Sequence, residues 1–129
     1  TGLAAYLAGW ETERDLQLSS NSGHYLENFV VAEIIKSYNA RGLKPNLSYY
    51  RDKEKHEIDL VISKNNKLYP FEIKKTASPN HAMISSFKYL ENSKKEISTG
   101  GIICFYDDLM KLDEKNYIIP ISSVINVTK

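Results

Sequence analysis

The sequence predicts an α/β domain in which helices flank a mixed central β-sheet. Two patterns indicate this fold. An apolar helical repeat precedes three short β-type segments, and an amphipathic helical segment separates these from two further β-type segments. Composition agrees, because 42% hydrophobic and 26% charged residues with six Gly and four Pro are typical of a globular protein. The length of 129 residues suits one domain.

The opening helix is predicted from Asn21 or Ser22, two residue types suited to capping, through Asn39. Gly42 then provides a stop signal. Apolar residues recur at helical spacing along this stretch, at Leu26, Phe29, Val30, Ile34 and Tyr38. The pattern therefore predicts one amphipathic helix at the start of the domain.

The remaining elements are predicted from β-type composition and helix-start signals. Ser78 followed by Pro79 suits the start of a second helix, which ends near Asn92. Residues 121–127 fit either a short helix or a strand. The predicted strands lie at 47–51, 57–63, 68–74, 101–106 and 117–119.

The domain is expected to span residues 21–129. Residues 1–20 are expected to be the remnant of an upstream region together with a linker, because an apolar stretch at 2–10 precedes a polar one.

Charge and cysteine content limit the classes of function. A formal net charge of +1 does not by itself demand a nucleic-acid partner, so any such partner must be argued from local residues. Cys104 is the single cysteine and excludes a disulfide within the chain, which is consistent with a reducing, cytoplasmic setting. No apolar run is long enough to span a membrane, and no membrane partner is expected.

A two-residue turn at Asn65-Asn66 would fix the register of the second and third strands. Counting outward from this turn places Asp59 opposite Glu72 and Glu57 opposite Lys74. Because side chains alternate along a strand, these four charged residues would share one face of the hairpin. The other face would be apolar, formed by Ile58, Leu60, Ile62, Tyr69, Phe71 and Ile73.

Two carboxylates directly opposite each other repel and need a compensating charge. Lys74 can supply one, and a divalent cation between Asp59 and Glu72 can supply another. Oxygen ligands without His or Cys at ligand spacing favour Mg²⁺ or Mn²⁺. The alternative is a solvated ladder of ion pairs on an exposed sheet face. Asp59 argues against that alternative, since it interrupts an apolar strand that reads as covered on both sides.

These residues resemble the core of the PD-(D/E)XK nuclease superfamily, which has the restriction-endonuclease-like fold. Asp59 is followed on the next strand by Glu72-Ile73-Lys74, and Glu27 lies on the preceding helix. The chain departs from the pattern in having Ile58, not Pro, before Asp59.

The resemblance implies a catalytic set of Asp59, Glu72, Lys74 and Glu27. Asp59, Glu72 and the Ile73 carbonyl would bind Mg²⁺ or Mn²⁺, and Lys74 would orient the attacking water. Glu27 would act through water or a second metal, although an acid near a helix start is also favourable by itself.

A closer resemblance covers nearly the whole chain. It is to the C-terminal domain of unknown function that follows an AAA-type ATPase module in many prokaryotic proteins. The segments that carry it are TGLAAYL at 1–7, GHYLENFV at 23–30, YRDK at 50–53, EID at 57–59 and FEIK at 71–74. The resemblance implies an upstream ATPase module in the same full-length chain.

Together these features predict a Mg²⁺-dependent nuclease domain acting on nucleic acid, with DNA as the expected substrate. Lys75, Arg51 and Lys88 are the residues expected to contact it. Tyr49 and Tyr50 could stack on bases, but packing within the sheet is the expectation for tyrosines in a strand. Two alternatives stay open: an inactive nuclease-fold module for regulation or nucleic-acid binding, and an assembly module for the ATPase. A homodimer would suit cleavage of two strands, but the sequence does not fix the oligomeric state.

Overall fold

The structure is a computed structural model that describes residues 22–126. The predicted boundary at residue 20 and the possible cap at Asn21 lie outside the described residues. The helices are α1 (Ser22–Ala40), a 3-10 helix (His81–Asn92) and α2 (Ile121–Asn126). The strands are β1 (Asn46–Arg51), β2 (Glu57–Lys64), β3 (Lys67–Ile73), β4 (Glu96–Ile97), β5 (Gly100–Cys104), β6 (Met110–Lys111) and β7 (Asn116–Pro120).

All seven strands form one mixed sheet, as the sequence predicted. Its order is β1-β2-β3-β5-β7-β6, and β4 adds a short pairing to β3. The first three strands are antiparallel neighbours, whereas β3, β5 and β7 run parallel to one another. The chain therefore has an antiparallel half and a parallel half that join at β3, and the predicted α/β fold class is confirmed.

The β2–β3 hairpin has the predicted two-residue turn. Asn65 and Asn66 adopt φ values of 53° and 63°, which is the left-handed pair that a type I′ turn requires and that asparagine tolerates. Pairing runs from Lys64 with Lys67 to Leu60 with Phe71. The register predicted by counting from this turn is confirmed over those pairs.

Each face of the sheet carries its own apolar cluster. One packs under α1 and α2 and contains Leu26, Val30, Leu60, Ile73, Ile103, Phe105 and Ile121. The other packs under the 3-10 helix and contains Ile58, Val61, Leu68, Ile84, Phe87, Leu90, Ile102, Cys104 and Ile118. Ile102 and Ile103 are adjacent in sequence yet belong to different clusters, as the alternation of side chains along a strand requires. Because both faces are covered there, the central strand β5 is buried along its whole length.

The second predicted helix is a 3-10 helix that begins at His81, after Pro79, and is interrupted at Ile84. Its buried residues are Ile84, Phe87 and Leu90, which recur every three residues. That spacing matches three residues per turn and not 3.6, so the 3-10 form keeps all three side chains on the sheet.

Two short strands, β4 and β6, were not predicted, because a two-residue pairing leaves no periodic signal. The open alternative at 121–127 resolves as helix α2. No helix among residues 22–126 combines the length and apolarity needed to cross a bilayer.

Two adjacent glycines allow strand β5 to lie close to both neighbouring strands. A Cβ on Gly101 would lie 2.1 Å from the Tyr117 carbonyl oxygen on β7, and one on Gly100 would lie 2.1 Å from the Pro70 carbonyl oxygen on β3. No real side chain fits at such distances. Strand β5 can therefore approach both neighbours only because these positions carry no side chain.

Candidate functional site

The candidate site begins where the β2–β3 ladder stops. Backbone pairing extends no further than Leu60 with Phe71. Beyond it, the Ile73 amide donates a hydrogen bond of 2.9 Å to Oδ2 of Asp59. A carboxylate of β2 therefore occupies the place where a backbone carbonyl would otherwise accept, and this fixes Asp59 against the end of β3.

A β-bulge sets the direction of Asp59. Ser48 pairs with Val61 and Tyr50 pairs with Ile58, so Tyr49 alone faces the two β2 residues Asp59 and Leu60. A bulge of this kind re-aims side chains and breaks strict alternation. The prediction that Ile58 shares the face of Leu60 was therefore wrong, because Ile58 belongs to the cluster under the 3-10 helix.

Lys74 lies between the two carboxylates of the hairpin. Its Nζ is 3.1 Å from Oε2 of Glu72 and 3.9 Å from Oδ2 of Asp59. Burial alone would lower the pKa of Lys74, but the Glu72 charge and then the Asp59 charge raise it. Lys74 is thus a charged ammonium, and 41% of its side chain remains exposed.

Glu57 does not pair with Lys74 as the hairpin register suggested. Its Oε1 lies 3.3 Å from Nε of Arg51 instead, and more than half of each side chain is exposed. The β1–β2 register is irregular between Ile58 and Val61, and the pairing of β2 with β3 ends at Leu60, so counting from the turn no longer applies at Glu57.

Glu72 is buried, with 3% of its side chain exposed. Its Oε1 has no hydrogen-bond partner among the described residues. Burial, followed by the neighbouring Asp59 carboxylate, raises the pKa of Glu72 to about 8, while Lys74 opposes this rise. A buried oxygen without a partner is costly, so this side chain is suited to an additional ligand or to a proton.

Glu27 extends the group from helix α1. Its half-buried side chain lines a cleft together with Asp59. Burial and then the Asp59 charge raise the pKa of Glu27, while Lys74 lowers it. We refer to Glu27, Asp59, Glu72 and Lys74 as the acidic cluster.

The acidic cluster contains more negative than positive groups, since three carboxyl groups accompany one ammonium. Either a proton on Glu72 or a bound cation would relieve the imbalance. Asp59 and Glu72 are hard oxygen donors of the kind that suits Mg²⁺ or Mn²⁺. Between residues 22 and 126, no three His, Cys, Asp or Glu side chains converge as a preformed cage. The residues therefore fit an ion held by two carboxylates with backbone oxygen and water, as Mg²⁺ commonly is.

A cleft of about 750 Å³ leads to the cluster. It runs between helix α1 and the strands β1 and β2, with Asp59 and Glu27 among its lining residues. The other lining residues are His24, Asn28, Val31, Ala32, Ile35, Tyr49, Arg51, Glu57 and Ile58. A ligand in this cleft would contact the carboxylates of Glu27 and Asp59, whereas Glu72 and Lys74 are not among the lining residues.

The three residues expected to contact nucleic acid are not all near this cleft. Arg51 lines it. Lys75 is exposed immediately after Lys74. Lys88 is exposed on the 3-10 helix, which packs on the sheet face opposite α1, and its Nζ lies 5.3 Å from the Tyr89 ring centroid. The structure thus places Arg51 in the cleft, Lys75 next to Lys74 in the chain, and Lys88 on the helix that covers the other face of the sheet.

Tyr49 differs from the expectation that strand tyrosines pack in the sheet. Tyr50 does so, as a partly buried neighbour of the cluster under the 3-10 helix. Tyr49 is 76% exposed and lines the cleft. Side chains alternate along β1, so Tyr49 lies on the cleft side of the sheet and Tyr50 on the side of the 3-10 helix.

The fold and site define an α/β domain whose mixed sheet holds a lysine between two carboxylates, one of which, Asp59, lines a cleft. Residues 22–124 match the family model described as "Domain of unknown function (DUF4143)", and the chain belongs to this family. Comparison with curated proteins and with solved structures found no match. The family match confirms the predicted resemblance to a domain of unknown function.

Proposed function

We propose that this domain is a nuclease of the restriction-endonuclease-like PD-(D/E)XK type, which hydrolyses phosphodiester bonds in nucleic acid with Mg²⁺ or Mn²⁺. The observation that carries the proposal is Glu72, a buried carboxylate with an unpartnered oxygen, held beside Asp59 and Lys74. If a cation binds the unpartnered oxygen, the burial of Glu72 has a functional explanation.

Asp59, Glu72 and the backbone carbonyl of Ile73 would hold the ion. When bound, it would polarise the scissile phosphate and lower the pKa of an attacking water. The hydrogen bond from the Ile73 amide restrains Asp59, and burial restrains Glu72, so both carboxylates are positioned before a ligand arrives.

Lys74 and Glu27 would act on the reacting groups from two sides. The Lys74 ammonium, partly exposed between the carboxylates, would stabilise the negative charge that develops on the phosphate. Glu27 would hold a water on the cleft side, where its raised pKa favours accepting a proton. Hydrolysis forms a bond from the water oxygen to phosphorus and breaks the bond to the leaving sugar oxygen, which takes up a proton.

Arg51 and Lys75 would contact phosphates of the substrate, with Lys88 as a more distant contact. We further propose that the substrate is DNA, that the domain acts in the cytoplasm, and that an AAA-type ATPase module precedes it in the full-length chain. The DNA substrate and the ATPase module rest on the resemblance of the motif segments, in particular EID at 57–59 and FEIK at 71–74, and the cytoplasmic setting rests on the single cysteine.

A second candidate function is a nuclease-fold module without catalysis, used for regulation or nucleic-acid binding. The observation that favours it is that Lys74 already neutralises part of the charge of Asp59 and Glu72. In that case the cluster would be an internal ion-pair network.

The two functions are separated by cation binding and cleavage assays. We expect the wild-type protein to bind Mg²⁺ by calorimetry and to cleave plasmid or single-stranded DNA when Mg²⁺ or Mn²⁺ is present. Asp59→Ala and Lys74→Ala should each reduce cleavage at least about a hundredfold, the scale typical of such groups.

Matched controls are Asp108→Ala and Lys64→Ala, which change an exposed Asp and an exposed Lys outside the cluster. Both should cleave like wild type. Cleavage that survives Asp59→Ala and Lys74→Ala would identify a contaminant and overturn the nuclease proposal. Mg²⁺ binding without cleavage would favour the non-catalytic module.

A further inference from the structure

One wall of the cleft beside the acidic cluster carries an exposed aromatic side chain, that of Tyr49. Tyr49, on the edge strand β1, is the most exposed of the large hydrophobic residues described, at 76%. Its side chain lines the cleft together with Asp59, and the bulge places the two residues opposite each other. A carboxylate of β2 and an aromatic ring of β1 therefore share one space.

The surfaces around Tyr49 suit a flat aromatic group bearing a phosphate. Across the cleft, helix α1 contributes the apolar side chains of Val31 and Ala32 and the polar side chain of Asn28. Arg51, two residues from Tyr49 on the same strand, adds a guanidinium that is 60% exposed and pairs with the exposed carboxylate of Glu57. A ring stacked on tyrosine with a phosphate near arginine is how many proteins hold one nucleotide of a single strand.

We propose that Tyr49 is a base-stacking platform and that the substrate is single-stranded or frayed DNA. This inference rests on the proposed function and names its substrate class. In a duplex both faces of each base are covered by neighbouring bases, so only an unstacked base can present a face to Tyr49. Stacking tolerates any base, so the platform selects for strand state and not for sequence.

Affinity for labelled oligonucleotides tests this directly. Fluorescence anisotropy is measured in EDTA, so that no cleavage occurs, with a fluorescein-labelled 12-nucleotide single strand and a blunt hairpin duplex. Wild type should bind the single strand more tightly. Tyr49→Ala should weaken binding of the single strand about tenfold or more without changing duplex affinity, and Tyr49→Phe should retain wild-type affinity because it keeps the ring.

Leu109→Ala is the matched control, because Leu109 is also a large exposed apolar residue but does not line the cleft. It should bind both probes like wild type. Equal affinity of wild type for the two probes, or no effect of Tyr49→Ala, would overturn the inference. A change of oligomeric state in Tyr49→Ala, seen by sedimentation, would assign Tyr49 to an interface between chains and would also overturn it.

The outcome is independent of catalysis. A protein that binds single strands through Tyr49 but never cleaves DNA with Mg²⁺ would overturn the nuclease proposal and leave only the base-stacking role of Tyr49 standing. A protein that cleaves with Mg²⁺ while Tyr49→Ala binds the single strand normally would do the reverse.

Discussion

The Ile73 amide and the Asp59 carboxylate are joined by a hydrogen bond of 2.9 Å that takes the place of backbone pairing between β2 and β3. One side-chain oxygen therefore both ends the ladder and positions a residue of the acidic cluster. A site built this way couples local stability to the identity of one residue.

Substitutions at Asp59 should separate its charge from its hydrogen bond. Asp59→Asn keeps an acceptor for the Ile73 amide and removes the repulsion with Glu72, whereas Asp59→Ala leaves the amide unpaired. We expect Asp59→Ala to be less stable than Asp59→Asn by about 1–3 kcal/mol in urea unfolding. The same pair of substitutions at exposed Asp108 should differ by less than about 0.5 kcal/mol. Equal stability of the two Asp59 variants would contradict the role of the hydrogen bond.

The raised pKa of Glu72 makes stability fall as pH rises. Below the ordinary value of 4.5 Glu72 is protonated in both states, and above about 8 it is ionised in both. Between these values the folded state holds one more proton, so the free energy of unfolding decreases with pH. We expect a loss of roughly 1–4 kcal/mol from pH 5 to pH 8, absent in Glu72→Gln. The exposed Glu91→Gln is the control and should keep the wild-type profile.

A divalent cation should reduce the loss of stability at high pH. Because Glu72 must lose its proton to bind an ion, millimolar Mg²⁺ should raise the melting temperature more at pH 8 than at pH 6. Differential scanning fluorimetry with and without EDTA measures this effect. Asp59→Asn and Glu72→Gln should remove it. An equal rise at both pH values, or in both variants, would mean that the ion binds elsewhere.

Gly101 should not tolerate a side chain. In Gly101→Ala the new Cβ meets the Tyr117 carbonyl at 2.1 Å, so β5 and β7 must separate. We expect destabilisation of about 2 kcal/mol or more by thermal or urea unfolding. Gly23→Ala is the matched control, because nothing lies within 4 Å of a Cβ there and alanine favours the helix. A neutral Gly101→Ala would show that the strands lie further apart.

A substitution in the hairpin turn should raise the free energy of unfolding. Asn66 has φ of 63°, a conformation that costs glycine nothing and that Asn-Gly turns use most often. Asn66→Gly is expected to raise the free energy of unfolding by up to about 1 kcal/mol, and Asn66→Ala to lower it by a similar amount. If glycine destabilises the protein, a type I′ turn is not what fixes the register.

The hairpin could be predicted from sequence because its determinants are local. Two asparagines select the turn, and the turn sets the register of every pair as far as Leu60 with Phe71. The approach of Asp59 to Glu72 followed from the same counting. Helix α1 was similarly accessible, because its apolar spacing needs no partner to be recognised.

What could not be predicted depends on pairing with residues distant in sequence. The bulge requires two residues of β2 to face Tyr49, which only the alignment of β1 against β2 decides. The ion pair of Glu57 with Arg51 lies beyond that bulge, where counting from the hairpin turn no longer applies. The 3-10 helix, by contrast, had a readable signal in the three-residue spacing of Ile84, Phe87 and Leu90.

The acidic cluster depends for part of its support on strand β5, which is synthesised after all four cluster residues. All four cluster residues lie before residue 75, but the Lys74 amide donates to the Ile103 carbonyl at 3.0 Å, and β3 pairs with β5 from Phe71 to Ile73. A chain emerging from the ribosome therefore carries the whole cluster well before β5 exists to hold the end of β3. The end of β3, which carries Glu72 and Lys74, thus gains these backbone partners only after β5 has been made.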